Sequence, residues 1–303
     1  MRTMTRILAI LSGWTLLVAG VWADDTADRT VAFGDHLFQQ ADYYRAITEY
    51  ERFLFLAPKD SRGNTVRLKI GAAYYRGEKW EAAGQRFQEL RGQAGDTESG
   101  RLAGLYLAAI ALHQKDYGRA LNYMEEFVAA HPDDPRRDTV MTELILTHLR
   151  RRETDDAVRL LEAEIAAGET GVKLTAADLE DWRDRPQKSP RLAGTLSAVL
   201  PGAGQGYVGQ WSDATLAFVV NGVFIWGTVE AFNRDEEVAG SFLMAMEATW
   251  YFGNIYNAVN GAQKANRATD ERFFDTVKIR YGLAFPPEAG DSLIPVVGVS
   301  GTF

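Results

Sequence analysis

The sequence predicts an all-α chain, a stack of about four helix-turn-helix units followed by a hydrophobic helical hairpin and a short tail. Three observations predict it. Alanine recurs at 37-residue intervals, at Ala46, Ala83, Ala120 and Ala157, and a fixed period of that length marks units that bury a common core only by stacking. Residues 192–262 then become rich in Gly, Ala and aromatics and poor in charge. The 303-residue chain has no cysteine, which leaves packing as the means of holding the stack together and excludes thiolate metal sites.

Each alanine carries the same neighbours. The first unit places Gly34 twelve residues before Ala46, Tyr43 three before, Tyr50 four after and Pro58 twelve after. The second keeps Gly71, Trp80 and Phe87 around Ala83, with Gly95 at the proline position. The third has Ala108, Tyr117, Met124 and Pro132, and the fourth, the most worn, Ile145, Thr154 and Leu161. A small residue midway along each helix lets two backbones approach, aromatics fill the flanks, and proline fixes where the second helix stops. This pattern over residues 27–168 resembles the tetratricopeptide (TPR) repeat, whose period is slightly shorter. The three extra residues are expected in the turns between units, where DSRGN and DPRRD lie.

The resemblance implies a non-enzymatic interaction scaffold and a concave groove lined by the first helix of each unit. On this chain the groove positions include Phe38, Leu68, Tyr75, Leu105, Leu112 and Leu149, rimmed by Arg76, His113 and Arg150. Members that clamp a peptide carboxylate put Lys, Arg and Asn there. This mostly apolar set points instead to an apolar or amphipathic segment of a protein partner. The alternative is that these residues pack between neighbouring helices.

At the amino end MRTMTR precedes the apolar run ILAILSGWTLLVAGVW and the small positions of Val21-Trp22-Ala23. This reads as a signal peptide over residues 1–23, with an uncleaved anchor as the alternative, so the mature chain is expected to be exported to the periplasm. The net charge is −8, and loss of Arg2 and Arg6 with the leader takes it to −10, which disfavours nucleic acid as a partner.

Residues 169–191 are read as a capping helix and linker. Thr175 and Asp178 form a capping-box pattern before a helix through Trp182 that would seal the end of the solenoid, and RDRPQKSPR follows. Residues 192–265 are read as a membrane-associated helical module. Its two apolar segments, Asp213 to Phe232 and Val238 to Val259, are each about one bilayer long. Glu247 lies inside the second, and Asn254, Asn257 and Gly261 share its face, a polar and small stripe suited to helix contact. A buried soluble hairpin is the other reading. The inner membrane is favoured as the site of attachment, with the outer membrane as the alternative.

Just upstream, PGAGQGYVG formally matches GxGxxG, but its proline and the long apolar helices after it lack the strand-to-helix context of a nucleotide fingerprint. It is similar to the PGxGQxYxG segment of small bacterial membrane modules, akin to the two-transmembrane-helix domain family, whose role is unassigned. Gly202 and Gly206, four apart, are read as close-packing positions, and Tyr207 as an interfacial residue. Residues 266–303 are read as a tail with a β-hairpin, FDTVKIRYGLAF alternating and the chain closing on Phe303. No metal spacing among His36, His113, His131 and His148, no cofactor site and no catalytic constellation is legible. The competing functional expectation is a transport or channel component in which Glu247 acts and the repeats regulate.

Overall fold

The computed structural model of the chain describes residues 26–168 and 171–286. They form two compact units, the first running to Leu174 and the second Thr175–Gly282. The leader and the terminal segment through Phe303 lie outside the described residues.

The first unit is an all-α solenoid of four TPR-type helix pairs. They are α1 (26–39) with α2 (Tyr43–Leu56), α3 (Gly63–Arg76) with α4 (Trp80–Ala94), α5 (Glu98–His113) with α6 (Tyr117–Ala130), and α7 (Arg137–Arg150) with α8 (Thr154–Ala166). Each helix from α2 to α8 packs on its neighbour in sequence and α3 also packs on α5, and one core cluster runs from α1 through α5. Ala46, Ala83, Ala120 and Ala157 are all fully buried. The small residue twelve positions earlier faces the large one four positions later. A Cβ on Gly34 would lie 2.7 Å from the Tyr50 ring, and one on Gly71 2.5 Å from the Phe87 ring. In the third and fourth units the same two positions hold Ala108 with Met124 and Ile145 with Leu161, all buried. As the first member grows the second shrinks, which keeps the volume of the pair within what a close-packed interior tolerates.

Both kinds of turn are encoded residue by residue. Inside each helix pair the chain reverses through a left-handed residue, Ala41, Glu78, Lys115 and Arg152, at φ of 60°, 58°, 59° and 64°. The next backbone N–H reaches back to the first helix, as Asp42 N–H to Leu37 O and Asp116 N–H to Ala111 O, both at 2.9 Å. This is the Schellman closure, made here without glycine. Asp42 and Asp116 then cap α2 and α6 by accepting from the Arg45 and Arg119 amides.

Between units one and two, Asp60 accepts from the Arg62 amide at 2.8 Å and from its guanidinium at 2.9 and 2.6 Å. Asp134 and Arg136 repeat the bracket between units three and four, at 3.0, 2.7 and 2.6 Å. Each arginine also reaches back to the solenoid, Arg62 to Asp28 at 2.6 Å and Arg136 to Glu98 at 2.7 and 2.9 Å. These turns lie where the longer period placed its extra residues. Side-chain hydrogen bonds from Arg62 hold the Asp60 carboxyl down at about 2.

The second unit comprises α9 (Ala176–Asp184), α10 (Pro190–Val199), α11 (Ala203–Tyr207), α12 (Trp211–Asn233) and α13 (Glu237–Tyr281). At 45 residues, α13 is about 68 Å long. Two sequence expectations are corrected here. Phe274 to Tyr281, read as a strand by alternation, is the last two turns of α13. Its apolar residues also recur at helical spacing, Phe273, Val277 and Tyr281, and that spacing prevails because α9 packs on this face. Helix α9, read as a solenoid cap with a boundary near residue 191, belongs to the second unit. Its capping box forms as expected, but Trp182, 2% exposed, packs on Phe273 and Phe274 with ring centroids 5.1 and 5.2 Å away. Arg185 covers the other face of Trp182 at 3.3 Å and pairs with Asp270 at 2.7 Å. Asp178, fully buried, accepts from Tyr281 Oη at 2.6 Å, from Thr175 and from Arg280. Burial opposes its charge, but these donors and the Arg280 guanidinium hold the carboxyl below its usual range.

Candidate functional site

The solenoid sorts the groove residues into two sets. Phe38, Leu68, Leu105 and Leu149 are fully buried. They are core, and the reading that they face a partner is corrected. Repeat position specifies the helix face but not the depth at which neighbouring helices close over it. Tyr75 and Leu112 are half-buried, and Arg76 and His113 are exposed. Tyr75, Trp80 and His113 form a ladder at the helix-pair turns: Tyr75 meets Trp80 edge-on at 5.1 Å, and Trp80 stacks on His113 at 4.0 Å. Asp35, one turn before Phe38 on α1, is held internally by Lys69 Nζ at 2.8 Å and Tyr50 Oη at 2.7 Å. Burial beside Asp35 pushes the Tyr50 phenol up, so it stays a neutral donor.

An exposed apolar patch escaped the sequence reading. Tyr44 and Phe55 on α2 are each 83% exposed, with Leu56 beside them at 43%. Eleven residues apart, Tyr44 and Phe55 share one helix face. The signal was available, because the equivalent positions hold Glu81, Gly118 and Asp155 in one case and Gly92, Ala129 and Ala166 in the other. Only the first unit places large apolar side chains there.

In the second unit the PGAGQGYVG segment is a packing joint. Gly202 starts α11 at φ 89° with its α-carbon against the Ala214 carbonyl of α12, so a side chain there meets both a left-handed backbone and a steric block. Gly204 lies against Ala193 O, Ser197 Oγ and the Ala258 methyl, where no Cβ fits. Gln205 is fully buried. Its Oε1 accepts from Ser197 Oγ at 2.8 Å and its Nε2 donates to Asn254 O at 2.9 Å, which ties α10 to α13. Ser197 Oγ in turn accepts from the Gly204 amide at 3.1 Å. Tyr207 Oη accepts from the Ser189 amide at 3.1 Å, and Gly206 lies beside the Trp211 ring. Gly202 and Gly204 thus allow close contact through a turn and a short helix rather than along one long helix. The role of Gln205 was missed because its partner lies 49 residues away.

Helices α12 and α13 form the expected hairpin, closed by a turn with Asp235 left-handed at φ 61°. Its surface is unlike the solenoid's. Phe218, Val223, Trp226, Val238, Phe242 and Phe252 are each 57% to 87% exposed. Among the described helices only Trp211–Asn233 is long and apolar enough to cross a membrane, with a mean hydropathy of 1.5. Inside the hairpin the polar groups are short of partners. Both Glu247 carboxylate oxygens, Asn254 Nδ2, Thr228 Oγ1 and Asn221 Oδ1 are buried without a hydrogen bond. Asn257 is exposed and lies with Asn254, Phe242, Met246 and Trp250 on a groove of about 660 Å³.

One acid–base cluster appears in the solenoid. His148, Glu153 and Asp156 bring ligand atoms within 4.8 Å of one another, at the turn between α7 and α8. Its carboxylates are already engaged, Glu153 by Arg151 at 2.9 Å and by His148 at 2.9 Å, Asp156 by Arg159, so it reads as an ion-pair network.

No family model matches the chain, and no curated protein matches it. Among solved structures it is similar to a putative kinesin light chain from Podosopora anserina with nearly identical TPR-like repeats, at 15% identity and a TM-score of 0.40, over 63% of this chain and 90% of that one. It is also similar to a tetratricopeptide repeat protein from Parabacteroides merdae, at 12% identity and a TM-score of 0.44, over 84% of this chain and 99% of that one.

Proposed function

We propose that the protein is a non-enzymatic interaction scaffold of the bacterial envelope. In this reading the solenoid is exported to the periplasm and binds an apolar or amphipathic segment of a protein partner. The hairpin tethers it to a membrane, the inner one favoured. The observation that carries the reading is the contrast between a solenoid whose large apolar residues are mostly internal, the α2 patch apart, and a hairpin whose large apolar residues are mostly exposed. The partner surface is assigned to the α2 patch of Tyr44, Phe55 and Leu56 and to the accessible Tyr75, Arg76, Leu112 and His113.

Carbonate extraction of separated inner and outer membranes tests the tether. The chain should stay with the membrane pellet, and its release into the supernatant refutes the reading. Photo-crosslinking from Tyr44 and Tyr75 tests the surface, with recovery of one common protein partner expected. The unpartnered Glu247 carboxylate supports a second reading, a transport component with the repeats as a regulatory arm. Loss of function in Glu247→Gln with crosslinking intact would favour that reading over the scaffold.

A further inference from the structure

The base of the hairpin carries a band of cations that the fold leaves unpaired. Helix α10 runs antiparallel to α13: the Lys188 amide donates to Asn266 Oδ1 at 2.6 Å and Tyr251 Oη donates to Ala198 O at 2.8 Å. A Cβ on Gly194 would touch Val259, which fixes the register between those contacts. Arg191 therefore sits level with residues 262–263 of α13, Lys188 with Asn266, and Lys264 and Arg267 lie on α13 itself. Gly261 faces Gln210, which brings the start of α12 to the same level. Four cations thus fall within about 8 Å along the α13 axis.

None of the four makes an ion pair among the described residues, and Arg191, Lys264 and Arg267 are exposed. Lys188 lies 4.8 Å over the Tyr207 ring. No Asp or Glu occurs in residues 187–195, 204–211 or 261–268. The nearby Asp270 is taken by Arg185 and Gln187. Immediately beyond the band the exposed apolar surface begins, with Trp211 at 72% and Tyr256 at 68% exposure. The opposite end of the hairpin is acidic, with Glu230, Asp235, Glu236 and Glu237 against Arg234 alone.

Cations that make no ion pair among the described residues, with Tyr207 beside Lys188 at the edge of an apolar zone, complement the headgroup layer of an anionic bilayer. Resting on the membrane reading above, we propose that Lys188, Arg191, Lys264 and Arg267 form a collar that binds the phosphates of anionic phospholipids and sets the depth and orientation of the hairpin. Unpaired like charges this close repel one another, and lipid phosphate relieves that repulsion.

The test dilutes the purified full chain from detergent into an equal mixture of two separately tagged vesicle populations. One is phosphatidylcholine alone, and the other contains about 30% phosphatidylglycerol, which supplies the surface potential. The chain should favour the anionic vesicles at least tenfold. A variant with Lys188→Gln, Arg191→Gln, Lys264→Gln and Arg267→Gln should divide evenly while keeping its helical circular dichroism. Arg191→Lys with Arg267→Lys, which keeps the charge, should retain the preference. An even division by the wild type, or an undiminished preference in the neutral variant, overturns the collar and leaves the tether standing. Failure to enter either population overturns the tether itself, and the collar with it. Release by millimolar inorganic phosphate would identify a free-anion site and overturn lipid as the ligand.

Discussion

The two units close their helix pairs with the same turn and treat the faces of those helices in opposite ways. Arg152 in the solenoid and Asp235 in the hairpin are both left-handed, each followed by a residue whose amide reaches back, Glu153 to His148 O and Glu236 to Ala231 O, at 2.9 Å. In the solenoid this reversal brings a small residue against a large one and removes both from water. In the hairpin it leaves most large apolar side chains outside, and the polar groups of Asn221, Glu247 and Asn254 are those turned in. A turn specifies that two helices will be neighbours. What they show to their surroundings is specified by which residues face away from the partner, and here the two halves expose different chemistry.

The largest expected effect separates the units energetically. Trp182→Ala removes a buried ring at the α9–α13 clamp and should destabilise the second unit by about 3–5 kcal/mol. Hydrogen exchange should show lost protection over residues 270–281 with residues 43–166 unchanged. Loss of protection in both would mean that the units fold as one.

Next, Gly71→Ala drives a methyl into the Phe87 ring and should cost about 1–3 kcal/mol in urea denaturation. Combining it with Phe87→Met copies the third unit's solution, and the double variant should be more stable than the sum of the two single losses implies, by about 1 kcal/mol. If the double variant is no better than the sum of the singles, the size exchange between these positions is not what holds the pair.

The Arg62 bracket gives a smaller, pH-dependent term. Asp60 sits at about 2 in the folded chain against about 3.9 unfolded. The unfolded state binds the proton first, so the bracket's stabilisation is complete above the unfolded value and is lost as pH falls through about 2. Arg62 is 42% exposed and solvent screens the pair, so the effect should stay below about 1 kcal/mol. Asp60→Asn should flatten the wild-type loss of stability between about pH 4 and pH 2.

The smallest effect tests the shared turn. Lys115→Gly and Asp235→Gly relieve left-handed strain of about 1–2 kcal/mol, less the entropy glycine returns to the unfolded chain. Each should gain about 0.5 kcal/mol or less. A gain in one unit only would show that the two turns are not equivalent.

The solenoid was legible because its period and its residue types agree at each helix pair, so Ala46, Ala83, Ala120 and Ala157 could be placed in the core from sequence alone. Depth was not legible: Leu68 and Leu105 lie on the expected helices, yet how far the neighbours close over them depends on the whole stack. The end of α13 was misread because Phe274 to Tyr281 satisfies both alternation and a four-residue spacing, and only the packing of Trp182 decides between them. Gln205 stood out only as a position of the PGxGQxYxG match, and its partner, like the cation band, had no local signature, since each depends on α13 returning past α10. Tyr44 and Phe55, by contrast, stand out once the four units are aligned on their alanines.

The Asp–Arg bracket recurs at a spacing of two units, at Asp60 with Arg62 and again at Asp134 with Arg136. Between them the second helix pair turns through Gly95 at φ 55°, with Thr97 and Ser99 at the bracket positions and Asp96 meeting Arg101 at 3.2 Å instead. The bracket in its two-residue form therefore recurs after 74 residues rather than 37. Lengthening the array by a single helix pair would set two unlike junctions out of phase, whereas inserting residues 43–116 as a block would meet a matching junction at either end.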